Sequence, residues 1–370
     1  MQPLPLPLRG GSIEALAPLL NLADENDFVL VVAWLLGALR AGGPYPVLAI
    51  AGEQGSAKTV LSKLLRAVID PSVAPVRAPP RDERELFIAA SNGHILAFDN
   101  LSGLPPWLSD TLCRLTSGGA FSTRRLFSDQ DEILFAAARP IILNGIEDVI
   151  TRPDLADRAI VLRLTPIAEG QRRAEHALWR EFELARPHIL GALLDAAAHG
   201  LRMLPQVCLK RLPRMADFAL WATACESAFS PAGAFEAAYS NNRRDAIENI
   251  VDADPAAALV REMMADRAQW TGSASDLLQV GANRSGWPKN PRALAGRLRR
   301  AQTFLRTLGI EIVFGREGRF GTRTIRITAI GENQMHDTVS TVSRVSDNEH
   351  GAGLAILGSD WNRRFKCRRC

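Results

Sequence analysis

Eight consecutive residues carry the most explicit chemistry in this 370-residue sequence. Gly52-Glu53-Gln54-Gly55-Ser56-Ala57-Lys58-Thr59 follows a short apolar run and opens a stretch with helical periodicity. That order matches G-x-x-x-x-G-K-[ST], with one departure: Ala57 stands in place of the second glycine. Glycines at 52 and 55 let the main chain wrap a polyphosphate, and amide N–H groups at a helix start attract its charge. Lys58 is placed to reach the terminal phosphates and Thr59 to offer its hydroxyl to Mg²⁺. The eight residues are expected to hold ATP, with Ala57 already in the first helical turn, where a methyl group costs little.

Three further positions complete this chemistry. Asp99 closes an apolar run, where a carboxylate approaches the Mg²⁺ shell; alone, it is an ordinary strand-ending turn residue. Asn144 ends another run, and its amide can hold a water or the γ-phosphate between the loop and Asp99, or simply form a turn before Gly145. Arg158 precedes a third run, from which it can reach a neighbouring subunit's nucleotide as an arginine finger, or pair with Asp154 or Asp157.

The elements that position these residues follow from the hydrophobic pattern. Residues 25–41 read as a helix ended by Gly42-Gly43-Pro44. Apolar runs at 46–51, 73–78, 94–98, 140–143 and 159–164 read as buried strands of a parallel sheet. Helices are expected at 57–69, 81–91 and 108–116, and a hairpin at 121–136 around Ser128-Asp129. Strands alternating with helices imply a three-layer α/β domain. Five segments result: a Pro-rich extension (1–24), the α/β core (25–167), an all-helical Ala/Leu-rich subdomain (168–268), a basic module (269–330) and a polar, disordered tail (331–370).

This order of parts resembles an AAA+ P-loop ATPase. The hairpin before the Asn144 run looks like the pre-sensor hairpin of superfamily 3 and MCM-like helicases. Residues 52–59, 97–119, 139–164 and 213–222 look like the ATP-binding proteins of bacterial mobile elements and phages, replicative helicases or primase-associated ATPases. The resemblance covers residues 12–328. It implies ATP and Mg²⁺ as ligands, and Lys58, Asp99, Asn144 (sensor 1), Arg158 (finger) and Arg214 (sensor 2, at the start of a lid helix) as catalytic residues. Arg211 can exchange roles with Arg214. Where such ATPases often carry a water-polarising Glu after the strand-end Asp, this chain has Asn100, so the catalytic base is unassigned. The resemblance also implies a homo-oligomeric ring, a hexamer, with ATP between neighbours, and a primase or other replication partner.

The net charge is +4, with 47% hydrophobic residues. From 281 to 330, eleven Lys/Arg face two acids, a surplus of +9 that leaves −5 for the remainder. There, Leu294, Leu298, Phe304, Leu305 and Leu308 form one helical face, with Arg292, Arg297, Arg299, Arg300 and Arg306 largely off it. Two alternating runs bearing Arg316, Arg319, Arg323 and Arg326 follow. A basic helix followed by a two-stranded wing looks like a winged helix binding DNA phosphates, or one used only for protein contacts. Arg124 and Arg125, flanked by Phe121 and Phe127, are further DNA candidates for the hairpin, or solvated surface arginines. Single-stranded or forked DNA is the expected partner.

Five cysteines are too scattered for a disulfide framework, which fits a cytoplasmic protein. Cys113, Cys208 and Cys225 read as core residues, and Cys367-Arg-Arg-Cys370 is only half a zinc site. The apolar run at 28–39 is too short to span a membrane. An ATP-driven motor or loader is the first expectation. An ATP-switched DNA-binding initiator or regulator with little turnover is the second, favoured by Asn100. A remodeller that does not touch DNA is disfavoured by the +9 module.

Overall fold

Continuous apolar runs between amphipathic helices produce a sheet whose strands are buried on both faces. The computed structural model describes residues 2–124, 132–317 and 322–330, with backbone alone for 120–124, 132–136, 317 and 322. The chain divides into two units, the first ending at Ala246 and the second beginning at Ile247.

The first unit runs α1 (Glu25–Ala38), β1 (Val47–Gly52), α2 (Lys58–Ile69), α3 (Glu83–Asn92), β2 (Leu96–Leu101), α4 (Pro106–Ser117), β3 (Ala120–Arg124), β4 (Glu132–Ala136), β5 (Ile141–Gly145), α5 (Pro153–Ala156), β6 (Ala159–Leu164), α6 (Glu175–Met203) and α7 (Ala216–Glu226), and α8 (Ala234–Ala253) follows. Four strands pair in parallel in the order β2-β5-β1-β6. Their carboxyl ends therefore share one edge of the sheet. The hairpin arms β3 and β4 pair from Ala120↔Ala136 to Arg124↔Glu132; its tip, with Arg125, lies outside the described residues.

Helix α1 is apolar all round and accordingly buried from Val29 to Ala38. Asp24 caps it, accepting from the Asp27 amide at 2.9 Å. The helical segment after 168 is not a separate subdomain: Phe182, Leu193, Phe218 and Trp221 share one core with Leu48 and Ile50 of β1. The Trp221 indole donates to the Leu36 carbonyl at 2.9 Å. Nor is 1–24 a free extension. Leu16 and Leu19 of a 3₁₀ turn (Ile13–Leu19) are buried, and the Leu8 amide donates to the Pro187 carbonyl of α6. The strand expected at 73–78 reduces to one bridge, Arg77↔Phe98, because Pro71, Pro75, Pro79 and Pro80 remove ladder donors.

The segment after α2 is held instead by Arg66 and Asp70, each 2% exposed. Arg66 donates to the Asp70, Ala74 and Pro75 carbonyls and pairs with the Asp70 carboxylate at 3.5 Å. The same carboxylate oxygen accepts from the His94 and Ile95 amides ahead of β2.

The second unit contains α9 (Pro255–Ala265), β7 (Gln269–Gly272), α10 (Ala274–Val280), α11 (Pro291–Thr307), β8 (Ile310–Glu317) and β9 (Thr322–Ala329). It starts before the expected boundary at 269 because α9 buries Ala256, Leu259 and Val260 in one core with Leu294, Leu298, Phe304 and Leu305 of α11. A strand not foreseen, β7, pairs with β9 to give the antiparallel order β7-β9-β8. Among the described residues no helix is long and apolar enough to cross a membrane. The tail expected beyond 330 lies outside them.

Removing one partner of the buried Arg66–Asp70 pair leaves the other charge uncompensated. Arg66→Ala is expected to lower the unfolding free energy by about 3–5 kcal/mol in urea denaturation followed by tryptophan fluorescence. A loss below about 1 kcal/mol, typical of an exposed pair, would contradict this reading.

Candidate functional site

The loop between β1 and α2 bends through two glycines with positive φ, Gly52 (154°) and Gly55 (85°). A Cβ on Gly52 would lie 2.5 Å from the Leu164 carbonyl oxygen, so the position admits only glycine. Ala57 departs from expectation. It is not in the first helical turn but caps α2 in the left-handed region, φ 62° and ψ 26°. That conformation explains why glycine usually stands here; alanine holds it at a cost of about 1–2 kcal/mol.

Lys58 folds its ammonium over the loop, donating to the Gly52 and Glu53 carbonyls, each at 2.7 Å, and to the Ser56 hydroxyl at 3.3 Å. Burial pushes its pKa down, while nearby Asp99 acts in the opposite direction. Thr59 begins α2 beside the carboxyl end of β2, and its hydroxyl donates to Asp99 Oδ1 at 3.0 Å.

Asn144 sits at the end of β5, the strand between β2 and β1, and is 1% exposed. Its Nδ2 donates to the Ser62 hydroxyl of α2 at 3.0 Å, and its Oδ1 accepts from the Asn100 amide at 2.9 Å. It thus ties α2 to the chain following Asp99. Asn100, where an acid was looked for, is exposed and has φ 58°.

Carbonyls of the loop are also held by residues that sequence reasoning did not single out. The Ile167 amide donates to the Gly55 carbonyl at 3.2 Å. Asn21 Nδ2 donates to the Ser56 and Thr165 carbonyls at 3.0 and 2.8 Å. A Cβ on Gly55 would lie 3.7 Å from Arg172 Nη2. Nothing in their local sequence marks Asn21 or Arg172.

Arg158 donates to the main-chain carbonyl of Asp154 at 2.6 Å. The Asp157 carboxylate is instead taken by Arg243 of α8 at 2.7 Å. Arg214 is exposed, one residue before Met215, which caps α7. Arg124 belongs to β3. In the second unit Arg292, Arg299, Arg300, Arg316 and Arg323 are exposed. Arg297 donates to the Gly286 carbonyl at 3.0 Å, and Arg299 lies over the Phe314 ring, 4.4 Å from its centroid. Arg316 faces Arg323 directly across the β8–β9 ladder; Arg319 lies outside the described residues. Cys225 is buried, its thiol pushed up to about 12 by burial. Cys208, expected in a core, is exposed and disulfide-bonded.

Comparison with known proteins places the chain in a family. The model of the actinomycete integrative conjugative element replication protein matches residues 13–248, and that of the AICE RepA C-terminal domain matches 256–342. The chain belongs to this family of replication proteins. No curated protein matches it. Among solved structures, an apo form of the NrS-1 C-terminal region is 14% identical, with 90% of this chain and 80% of that one covered and a TM-score of 0.44. A JCV helicase with a bound small molecule is also 14% identical, with 54% and 60% covered and a TM-score of 0.28.

The left-handed Ala57 of this replication protein generates a prediction. Ala57→Gly is expected to raise stability by roughly 1 kcal/mol, since glycine adopts this conformation without strain. Thermal unfolding checks it, and a lowered midpoint would contradict it.

Proposed function

We propose that this replication protein is a DNA-acting ATPase of the AAA+ P-loop class, a helicase-like motor or loader for its conjugative element. The observation that carries the reading is the 3.0 Å bond from Thr59 to Asp99. It joins a helix-start hydroxyl to a strand-end carboxylate beside a glycine-bearing loop, at the edge where open α/β sheets bind ligands. Two hard oxygen donors side by side fit a magnesium ion. Mg²⁺ held by Thr59 and Asp99 would offset the charge of the phosphate oxygens.

The remaining work falls to the chain. Loop amides bind the β- and γ-phosphates, and the Lys58 ammonium exchanges its loop carbonyls for phosphate oxygens. Asn144, buried and bonded to Ser62 and Asn100, would hold the attacking water or the γ-phosphate by releasing the Ser62 hydroxyl. Arg158 acts on a neighbour's nucleotide, where a guanidinium stabilises the charge that develops during transfer; this role requires a ring, which we take as a hexamer. Arg214, just ahead of α7, senses nucleotide. The β3–β4 hairpin, with Arg124 and Arg125, meets single-stranded or forked DNA.

The second unit is read as a winged helix. Its order of helix, strand, two helices and two strands, with β7 against β9, supports this, and α11 with the β8–β9 wing supplies the basic face. A primase or another replication protein is the further partner. The exposed Asn100 favours a second reading, an ATP-switched initiator that binds nucleotide and turns it over little.

Lys58→Ala is expected to abolish ATP binding. Arg158→Ala should retain binding but lose at least about tenfold in turnover, since arginine fingers contribute several orders of magnitude. Equilibrium nucleotide binding and phosphate release measure both, and an Arg158→Ala protein with normal turnover would remove the ring mechanism. If DNA stimulates wild-type turnover, the motor reading holds; tight binding with little turnover selects the switch.

DNA affinity should fall steeply with added salt, by a log–log slope of about −0.7 to −0.9 per phosphate contact. Arg300→Glu with Arg316→Glu should weaken binding and flatten that slope in a salt titration. Salt-independent binding would count against the basic module.

A further inference from the structure

We infer that Asn21 is a positioning residue for the nucleotide loop, holding the peptide between Ser56 and Ala57 in the orientation that aims the Ala57 amide at a bound phosphate. This rests on the proposed nucleotide reading and extends it to a residue outside the 52–59 motif.

In a planar trans peptide the C=O and N–H point in opposite directions. Asn21 Nδ2 takes the Ser56 carbonyl at 3.0 Å, so the Ala57 N–H of that peptide points away from Asn21. The preceding peptide is handled alike: the Ile167 amide takes the Gly55 carbonyl, which turns the Ser56 N–H away from Ile167. The two protons of the Asn21 amide are both engaged, the second on the Thr165 carbonyl at 2.8 Å. One side chain therefore fastens the loop to the strand exit beside it.

A second, independent feature requires such a fastener. Ala57 has φ 62°, and φ of residue 57 is the torsion that changes when the 56–57 peptide flips. A flip would return Ala57 to the favoured negative-φ region and turn its N–H away from the ligand. With alanine instead of glycine, the flipped form gains the roughly 1–2 kcal/mol that the left-handed conformation costs. The Asn21 bond to the Ser56 carbonyl exists only in the unflipped form and opposes that gain. Asn21 can act as a fixed post because Leu19, two residues before it, is buried, and Asp24, three residues after it, caps α1.

The test is a mutant cycle on the full chain, measuring equilibrium binding of N-methylanthraniloyl-ATP with Mg²⁺ and steady-state ATP turnover. Asn21→Ala is expected to weaken nucleotide binding and raise KM about tenfold, with kcat at saturating ATP nearly unchanged. Asn21→Asp, which has no donor for either carbonyl, should weaken binding at least as much. The decisive arm is Ala57→Gly in the Asn21→Ala background: glycine removes the strain that drives the flip, so most of the lost affinity should return. A general structural role for Asn21 would instead lower the thermal midpoint without selective rescue by Ala57→Gly. Wild-type binding that Asn21→Ala leaves within about twofold, or a double variant as weak as the single one, overturns the inference alone. Absence of wild-type binding, equal to that of Lys58→Ala, overturns the nucleotide reading and the inference with it.

Discussion

Four parallel strands ending at one edge constrain everything else in the first unit. Parallel register with Ile50 beside Asn144, and Leu143 beside Phe98, brings the ends of β1, β5 and β2 into a row. Whatever side chains follow those strands must then meet. Asp99 and Asn144 are separated by 45 positions in the chain, yet β5 lies directly between the strand that ends near Asp99 and the strand that feeds the loop. The Thr59–Asp99 bond and the buried Asn144 bridge to Ser62 and Asn100 fasten α2 across this row. The first turn of α2 is thereby set relative to both strand ends, whereas a helix attached through the loop alone would be free to tilt.

How far this was legible in sequence depends on the kind of signal. Strands β1 and β5 are short apolar runs buried along nearly their whole length, and β6 departs from this at Val161 and the exposed Arg163, so composition marks all three. The run at 73–78 is also largely apolar, but Pro75 within it and Pro79 and Pro80 after it deny it a ladder. Four residues of β7, half of them exposed, carry no alternating pattern of burial large enough to stand out. Helix α9 looked like a continuation of the helical segment because amphipathicity reports that a face is buried and not what buries it. Its partner proved to be α11. Asn21 and Asn242 were invisible for another reason: each is a polar side chain bonded to main chain far away in sequence. Asn242 brackets Val161 of the edge strand β6, accepting from its amide and donating to its carbonyl, which replaces the missing neighbour strand at that residue.

Residues 281–330 of the second unit carry eleven Lys/Arg against two acids, and the architecture of this segment deepens the imbalance. Arg316 and Arg323 face each other across the ladder, an arrangement unfavourable for like charges. Cross-strand partners share a sheet face, so these two arginines continue the row formed by Ile312 with Ile327 and Phe314 with Ile325. Arg299 reaches the same row from α11 through the Phe314 ring. Three cations thus converge where the buried face of the sheet runs out into solvent. Repulsion there is tolerated because the positions are exposed and screened, and it turns into attraction when a polyanion supplies the missing negative charge.

Backbone strain in the first unit points back to the same edge. Among the described residues the non-glycine positions with positive φ are Ala57 and Asn100. Both lie at the carboxyl-end edge of the parallel sheet, Ala57 after the loop that follows β1 and Asn100 within the last residues of β2, beside Asp99, where the pairing with β5 shifts register. In each case an asparagine amide holds the peptide that precedes the strained residue, Asn21 on the Ser56 carbonyl and Asn144 on the Asn100 amide. Strain of this kind persists only where the surroundings over-determine it, and here a dedicated side chain does so twice within one site. The two strained peptides differ in which end is held. Asn21 grips a carbonyl and so frees the N–H beyond it for a ligand, whereas Asn144 consumes the N–H itself. The first arrangement builds a donor into the loop. The second removes a donor beside Asp99, leaving the carboxylate's own neighbourhood to Thr59.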